Sequence, residues 1–186
     1  MVSMKKRLFI VVEGEDDVRF FGRIIKPLFI TLYDSVEIIP YACIKRTKVD
    51  NFLKSIRLMN NDYIFVADID CEQSVRDKKQ VLYSHFSHID GGSIIVVIKE
   101  IESWYYAGLS IESVQNLTVP NLPFTDDLTK EDFNRLIPKK YDSHIDFMFE
   151  ILKYFSIDTA RQKNQSFRFF VERYHLEDPD RVNVYQ

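Results

Sequence analysis

A short apolar run near the N-terminus constrains the fold of this 186-residue chain more than any other feature. Residues 8–12 read Leu-Phe-Ile-Val-Val, and the chain passes from them directly into an acidic segment that begins with Glu13. Because an apolar run that ends at glycine and acids is typical of a buried strand, we predict a strand with a negatively charged C-terminal end. Ligands of open α/β sheets bind outside the carboxyl ends of the strands, so we look for a site there.

Strand-like and helix-like patterns alternate after this first strand. Further apolar strand patterns occupy residues 36–44, 63–67 and 94–98, and helical spacing of apolar residues occupies 16–29, 49–59 and 74–86. Pro27 predicts a bend or an end in the first helix, and Pro40 predicts an edge strand or a bulge. The alternation predicts βαβ units, a parallel sheet of about four strands and a three-layer α/β core.

The rest of the chain has a helical character. Residues 101–107 have a helical pattern, residues 109–124 look irregular, and shorter helices are expected after Thr129, over 143–155 and over 164–174. Residues 178–186 are interpreted as a tail. We therefore divide the chain into an α/β core, 1–108, and a helical extension, 109–186.

Composition narrows the class of protein. With 46% hydrophobic residues the chain can bury one full core, and a net charge of −3 means that nucleic-acid binding would have to come from a local basic patch. Cys43 and Cys71 match no disulfide or zinc-ligand spacing. The apolar runs are far shorter than the ~20 residues that span a bilayer. We expect a cytoplasmic protein that makes no membrane contact.

The predicted strand ends carry six candidate metal ligands. Carboxylates that crowd together raise one another's pKa values unless a cation neutralises them, so a bound divalent metal is the economical explanation. Hard oxygen ligands favour Mg²⁺ or Mn²⁺. The candidates are Glu13, Asp17, Asp68, Asp70, Glu100 and Glu102.

Basic residues are expected at the same edge of the sheet. Lys45, Arg46 and Lys48 follow the second strand and Lys99 follows the fourth, where they would bind phosphate groups. A basic cluster of this kind is, by itself, most often a solvated turn. His85 and the nearby His88 lack a third ligand and do not favour zinc.

Several enzyme classes lack their sequence signatures here. The chain has no phosphate-binding loop of the form Gly-x4-Gly-Lys-Ser/Thr, no Gly-x-Gly-x-x-Gly after a strand and no Gly-x-Ser-x-Gly elbow. These absences disfavour nucleotide hydrolysis by the P-loop route, dinucleotide oxidoreductases and serine hydrolases. The class of reaction that remains is metal-dependent chemistry on phosphate groups.

Four segments together resemble a known family. Residues 13–17, Glu-Gly-Glu-Asp-Asp, resemble the Glu-Gly-x-x-Asp signature of Toprim domains, and residues 68–70, Asp-Ile-Asp, resemble their Asp-x-Asp motif. Residues 99–107 contain a Glu-Ile-Glu-x-Trp element similar to that of small stand-alone Toprim proteins of the OLD-nuclease-like branch. Residues 166–170, Ser-Phe-Arg-Phe-Phe, are similar to their Ser-Phe-x-x-Phe segment.

The resemblance implies a Rossmann-like Toprim fold and a metal-dependent nuclease. It implies that Glu13, Asp68 and Asp70 form the metal and acid/base set. On this interpretation Glu13 and Lys99 are catalytic, and DNA is favoured over RNA as the substrate. Relatives of this kind act with an ATPase of the ABC or AAA type, so we expect residues 143–174, which are rich in aromatics, to dock an ATPase or a second copy of the chain.

Two alternatives stay open. The chain could be a non-catalytic Toprim module that serves in binding or assembly. It could also be a response-regulator receiver, whose acids, phosphoacceptor and lysine would be mimicked by Asp16 and Asp17, Asp68 and Lys99. A receiver has five strands and a hydroxyl residue before the lysine strand, whereas four strands are clear in this sequence. Metal-dependent cleavage would mark the nuclease and rapid reaction with acetyl phosphate would mark the receiver.

Overall fold

The structure, a computed structural model, describes residues 6–176. The predicted tail at 178–186 lies outside the described residues. The chain divides into two compact units, Met1–Val96 and Val97–Gln186, a division that falls before the boundary at residue 108 suggested by the sequence. Within residues 6–176 no helix is long and apolar enough to cross a membrane.

A four-stranded parallel sheet forms the centre of the α/β fold. Its strands are β1 (Arg7–Val12), β2 (Ser35–Pro40), β3 (Asp62–Asp68) and β4 (Ile94–Val97), arranged in the order β2-β1-β3-β4. Strand β1 pairs in parallel with both β2 and β3. The predicted parallel sheet of about four strands is confirmed. Strands buried on both faces read as continuous apolar runs, which is why β1, β3 and β4 were visible in the sequence.

Strand β2 lies at an edge of the sheet, as Pro40 predicted, but it is shorter than expected. It ends at Pro40, and residues 41–44 form a turn closed by a hydrogen bond from Ile44 N–H to Tyr41 O, 2.9 Å long. The prediction of a strand up to residue 44 was therefore wrong. The apolar residues after Pro40 face a cleft described below instead of continuing the sheet.

The helices of the first unit follow the predicted positions. Helix α1 (Glu15–Phe20) runs through a π-helical turn, Phe21–Ile25, into α2 (Lys26–Phe29), and it is followed by α3 (Arg46–Leu58) and α4 (Val75–His85). Pro27 has no N–H to bond back along the helix, which accounts for irregular helical geometry just before it. The helical segment does not end at Pro27 but continues to Phe29.

Helices lie on both faces of the sheet in this unit. The rings of Phe9 in β1 and Phe52 in α3 pack edge to face with centroids 5.5 Å apart. On the other face, Ile38 of β2 lies against Gly22 in the α1–α2 segment, 3.7 Å from where a Cβ would stand. Ile38 pairs with Ile10, and Ile10 points away from its neighbour Phe9, so the two contacts belong to opposite faces. This arrangement is a three-layer α/β core.

The second unit is built from helices. They are α5 (Ile101–Ala107), α6 (Ile111–Leu117), α7 (Lys130–Leu136), α8 (His144–Lys153), α9 (Ile157–Lys163) and α10 (Gln165–Arg173). The predicted N-caps Thr129, Ser143 and Asn164 each accept a hydrogen bond from a backbone N–H in the first turn of their helix. The prediction that residues 109–124 are irregular was wrong for Ile111–Leu117, which form α6 with Ser110 as its N-cap, and is confirmed for residues 118–124.

Aromatic side chains form the core of this unit. Trp104 packs against Phe167 and Phe170, with ring centroids 5.1 and 5.5 Å apart. Phe147 and Phe170, which we expected at a docking surface, are fully buried, whereas 40% of the surface of Tyr154 is exposed. Helical spacing alone cannot tell a core-facing aromatic from an interface one, and here most of the stripe faces the core.

Candidate functional site

The ends of β1 and β3 lie side by side in the first unit. The two strands are paired up to Val11 and Phe65, so the residues that follow emerge at one edge of the sheet. Glu13 comes two residues after Val11 and therefore points to the side of the sheet on which α3 packs. The prediction that the ends of the first and third strands meet at one edge of the sheet is confirmed.

A cleft of about 510 Å³ opens at this edge, within the first unit. Two of the predicted carboxylates, Glu13 and Asp70, line it, while Asp17 and Asp68 are outside its lining. Its other charged or polar lining residues are Tyr41, Arg46, Cys71, Glu72, Lys78 and His85. Acidic and basic side chains from four different elements or turns thus meet in one concavity.

Tyr41 lines the cleft and lies within electrostatic reach of the predicted carboxylates. Its ring stacks on Phe65 with the centroids 4.8 Å apart. Burial raises the pKa of its hydroxyl far above the usual range, and the negative charges of four carboxylates raise it further. These carboxylates, in order of effect, are Glu13, Asp68, Asp17 and Asp70. All four predicted acids of the first unit therefore act on a single hydroxyl group.

Asp17 also stabilises the start of helix α1. The N–H of Gly14 donates a hydrogen bond to Asp17 Oδ2 at 3.1 Å, so the carboxylate closes the start of α1, and the side chain is buried. An acid in the first turn also stabilises a helix through its dipole. Part of the Glu-Gly-x-x-Asp pattern is thus explained by helix capping.

Asp70 stands in an unusual backbone conformation and has a cationic partner. Its φ of 54° lies in the left-handed region, which a residue other than glycine rarely adopts. Its carboxylate forms an ion pair with Lys78 of α4. Lys78 is only 6% exposed, and lysine is rarely buried to this degree unless it is paired.

Sequence reasoning missed Lys78. The signal that could have found it is its position in α4, where it shares the buried face with Leu82. A lysine on the apolar face of an amphipathic helix needs an acidic partner, and the partner of Lys78 is Asp70. His85, the last residue of the same helix, lines the cleft, while His88 turns away to Asp50, which contacts its backbone N–H and its Nδ1 at 2.8 Å each.

The predicted basic cluster lies at the start of α3. Lys45 is the N-cap residue and offers no side-chain hydrogen bond, and Arg46 and Lys48 lie in the first turn. All three side chains are exposed, but only Arg46 lines the cleft. The other two form a basic surface next to the start of the helix.

Lys99, Glu100 and Glu102 belong to the second unit, and their predicted role stays a prediction. Lys99 has a φ of 61°, again in the left-handed region. Glu100 Oε2 accepts a hydrogen bond from Lys130 N–H at 2.6 Å, and Glu102 Oε1 lies 3.2 Å from Lys130 Nζ. Burial raises the pKa of Glu102. Both glutamates therefore anchor the start of α7.

The two further motif segments of the resemblance meet in the interior of the second unit. Trp104 Nε1–H donates to Ser166 Oγ at 2.8 Å, and Ser166 Oγ–H donates to Asn164 Oδ1 at 2.8 Å. Ile98 N–H also donates to Ser166 Oγ, at 3.3 Å. We call Trp104, Ser166, Asn164 and Ile98 the buried network. It joins the end of β4, α5 and the start of α10.

The donor chemistry of the cleft fits a hard divalent cation. Within residues 6–176 no group of three or more His, Cys, Asp or Glu side chains is placed so as to hold a metal. Mg²⁺, however, commonly keeps several waters and takes one or two protein carboxylates together with substrate phosphates. Glu13 and Asp70 supply two carboxylates at one cleft.

Comparisons of the chain with protein-family models, with curated proteins and with solved structures found no match. The resemblance to Toprim domains therefore rests on the sequence motifs.

Proposed function

We propose that the chain is a metal-dependent nuclease, a Toprim protein of the OLD-nuclease-like branch that hydrolyses phosphodiester bonds, with DNA as the favoured substrate. The observation that carries the proposal is that Glu13 and Asp70 line one cleft together with Arg46 and Lys78, at the carboxyl edge of a parallel sheet. Phosphodiester hydrolysis of this kind needs carboxylates that hold a cation and positively charged side chains that bind phosphate.

Glu13, Asp68 and Asp70 are the residues proposed to hold Mg²⁺ or Mn²⁺. When bound, such an ion polarises the phosphate and lowers the pKa of a coordinated water. Glu13 serves as a general base toward the attacking water or as a general acid toward the leaving 3′ oxygen. Arg46, which is exposed on the cleft wall, binds the phosphoryl oxygens and offsets the charge that grows on them.

The backbone at Asp70 supports a site at this strand end. A left-handed conformation at a residue other than glycine costs on the order of 1–3 kcal/mol and persists where the surroundings fix it. The ion pair with Lys78 and the hydrogen bond from Glu72 N–H to Ile69 O, 3.2 Å long, are the contacts that fix this turn. They hold the Asp70 carboxylate, whose side chain is 54% exposed, at the cleft.

We propose further that the chain is the nuclease subunit of an assembly with a separate ATPase of the ABC or AAA type. Among the aromatic residues of 143–174, Phe149 and Phe169 are each 51% exposed and Tyr154 is 40% exposed. Replacing Phe149 or Phe169 by Ser should then release a co-purifying ATPase without lowering the melting temperature. Retention of the ATPase by both variants would refute docking through these residues.

A single gel-based cleavage assay tests the proposed hydrolysis of nucleic acid. The pure protein is incubated with supercoiled DNA, linear DNA and RNA in Mg²⁺ or Mn²⁺, beside Glu13→Gln and the matched control Glu15→Gln, which changes an exposed acid of the same segment. We expect metal-dependent cleavage by the wild type and the control, and none by Glu13→Gln. Equal cleavage in excess EDTA, or by Glu13→Gln, would refute the proposal.

A second candidate is a non-catalytic Toprim module that binds nucleic acid or assembles with partners. The ion pair of Asp70 with Lys78 favours it, because part of the carboxylate charge is already balanced without a metal. In this case the wild type and Glu13→Gln would bind DNA equally and neither would cut it in Mg²⁺ or Mn²⁺.

A further inference from the structure

Three basic residues line the cleft: Arg46 from the start of α3, and Lys78 and His85 from α4. Partial burial and the positive charges of Arg46 and Lys78 lower the pKa of His85, so its imidazole favours the neutral form, which can still donate one hydrogen bond. The two cations, Arg46 and Lys78, would be stabilised by an anion bound between them.

Two of these three residues have polar groups that are not engaged within residues 6–176. Arg46 forms no ion pair there, and the His85 ring packs against Phe86 while its nitrogens make no hydrogen bond there, so both can bind a ligand. Helix α3 begins at Arg46, and Lys45 at its N-cap gives no side-chain acceptor to the backbone N–H groups of the first turn. The partial positive charge of the helix start adds to the charge of Arg46.

Apolar residues line the same cleft as well. They are Ile44 in the turn before α3, Val49 in α3, Val81 and Leu82 in α4, and Phe86 just after α4. A volume of about 510 Å³ is within the range of small-molecule sites and exceeds what a phosphate group alone would fill. Apolar surface of this kind suits the flat face of a nucleobase.

We propose that the cleft binds one nucleotide unit, with its phosphate on Arg46, Lys78 and His85 and its base against the apolar residues of the lining. The inference deepens the proposed function and rests on it for nucleic acid as the source of the nucleotide. It adds Lys78 and His85 to the groups that contact substrate. It also assigns the site to a single unpaired nucleotide, because a base that is stacked in a duplex cannot lay its face on these residues.

The acidic residues of the lining make binding depend on a divalent cation. Glu13, Asp70 and Glu72 line the cleft as well, and their charges oppose those of Arg46 and Lys78. A phosphate is therefore bound more tightly when Mg²⁺ offsets the carboxylates. The nucleotide and the cation are expected to strengthen each other's binding by the same factor.

Calorimetric titration of the full chain with thymidine monophosphate, thymidine and inorganic phosphate, in Mg²⁺, tests the inference. We expect the monophosphate to bind roughly tenfold or more tightly than either part alone, and Arg46→Ala and Lys78→Met to weaken it by a similar factor. Lys54→Met, which removes an exposed cation of α3 outside the cleft, is the control and should bind as the wild type does. Arg46 is exposed, so its variant keeps the test valid if Lys78→Met does not fold.

Three outcomes would overturn the inference: no saturable binding at millimolar monophosphate, equal binding of thymidine or of inorganic phosphate, or wild-type affinity in Arg46→Ala. The monophosphate contains no phosphodiester bond, so its binding is measured apart from cleavage. Cleavage of DNA without binding of the monophosphate would overturn this inference alone. Binding without cleavage would support it and count against the proposed nuclease.

Discussion

The cleft of the first unit and the buried network of the second differ in how their polar groups are satisfied. Both are marked by segments of the same family resemblance. In the network, Trp104, Ser166 and Asn164 hydrogen-bond one another in the interior. In the cleft, Glu13 and Asp70 share a partly open space with cations, and four carboxylates act on the Tyr41 hydroxyl.

The comparison shows that a sequence motif can be present for either of two physical reasons, folding or ligand binding. Polar side chains that satisfy each other inside a fold hold that fold together, because leaving one of them without a partner costs free energy of folding. Like charges brought together at the edge of a sheet oppose folding and gain their stability from a ligand. We therefore expect changes in the network to lower stability, and changes in the cleft to lower activity.

The largest expected effect is on cleavage by Asp68→Asn. The change keeps the shape of the side chain and removes one of the charges that act on Tyr41. We expect the cleavage rate to fall by about 10²–10⁴-fold, the range over which acid/base and ligand groups contribute. Because the shape of the side chain is kept, the melting temperature should stay close to that of the wild type. A lower melting temperature with undiminished cleavage would assign Asp68 to the fold.

A large effect on stability is expected for Ser166→Ala in the buried network. The variant leaves the N–H groups of Trp104 and Ile98 without their acceptor, at a cost of about 1–3 kcal/mol for a buried donor. Denaturant unfolding measures it, with Ser84→Ala on the exposed face of α4 as the control. If Ser166→Ala unfolds like the control and loses cleavage instead, the comparison between network and cleft fails.

A smaller, pH-dependent effect is expected for Glu102→Gln. Burial raises the pKa of this carboxyl above its ordinary value of 4.5, so the folded state favours the protonated form. Its contribution to stability is fully present below pH 4.5 and is lost as the pH rises through the raised value. Glutamine cannot ionise. The free energy of unfolding of the variant, relative to wild type, should therefore increase with pH above 4.5.

The matched control for that series is Glu131→Gln, an exposed glutamate of α7. Its stability relative to wild type should not change with pH over the same range. A flat difference for Glu102→Gln would mean that its pairing with Lys130 offsets burial, and a difference that falls with pH would mean that the pairing outweighs burial.

The smallest expected effect is that of Lys48→Ala on DNA binding. Lys48 is exposed in the first turn of α3 and does not line the cleft, so it can contact only the phosphate backbone beside the site. Removing one phosphate contact should reduce the slope of log K against log salt by about 0.9. Fluorescence anisotropy at several salt concentrations measures it, and Lys54→Ala should leave the slope unchanged. An unchanged slope for Lys48→Ala would exclude it from the interface.

The sequence revealed most of the fold because the features that form it are local. The buried runs that became β1, β3 and β4 are continuous, and Thr129, Ser143 and Asn164 are caps that act within one helical turn. Helices α6 and α9 went undetected although Ser110 and Ser156 cap them, because these two serines were not recognised as helix starts.

The candidate site was predicted only in part because some of its residues are brought together by packing that is not local in sequence. Glu13 and Asp70 follow strands, and parallel strands bring their ends together, so their meeting in the cleft follows from topology. Lys78 and His85 reach the cleft from a helix, through packing that no local pattern encodes. The burial of Phe147 and Phe170 likewise depends on tertiary packing.

Direct binding of Mn²⁺ is the measurement closest to the central claim, that the strand-end carboxylates of the first unit hold a catalytic cation. Electron paramagnetic resonance counts free Mn²⁺ in titrations of wild type, Glu13→Gln and Ser166→Ala. We predict saturable binding by the wild type and by Ser166→Ala, whose change lies in the buried network, and its loss in Glu13→Gln. Equal binding by Glu13→Gln and wild type, or none by the wild type, would contradict the claim.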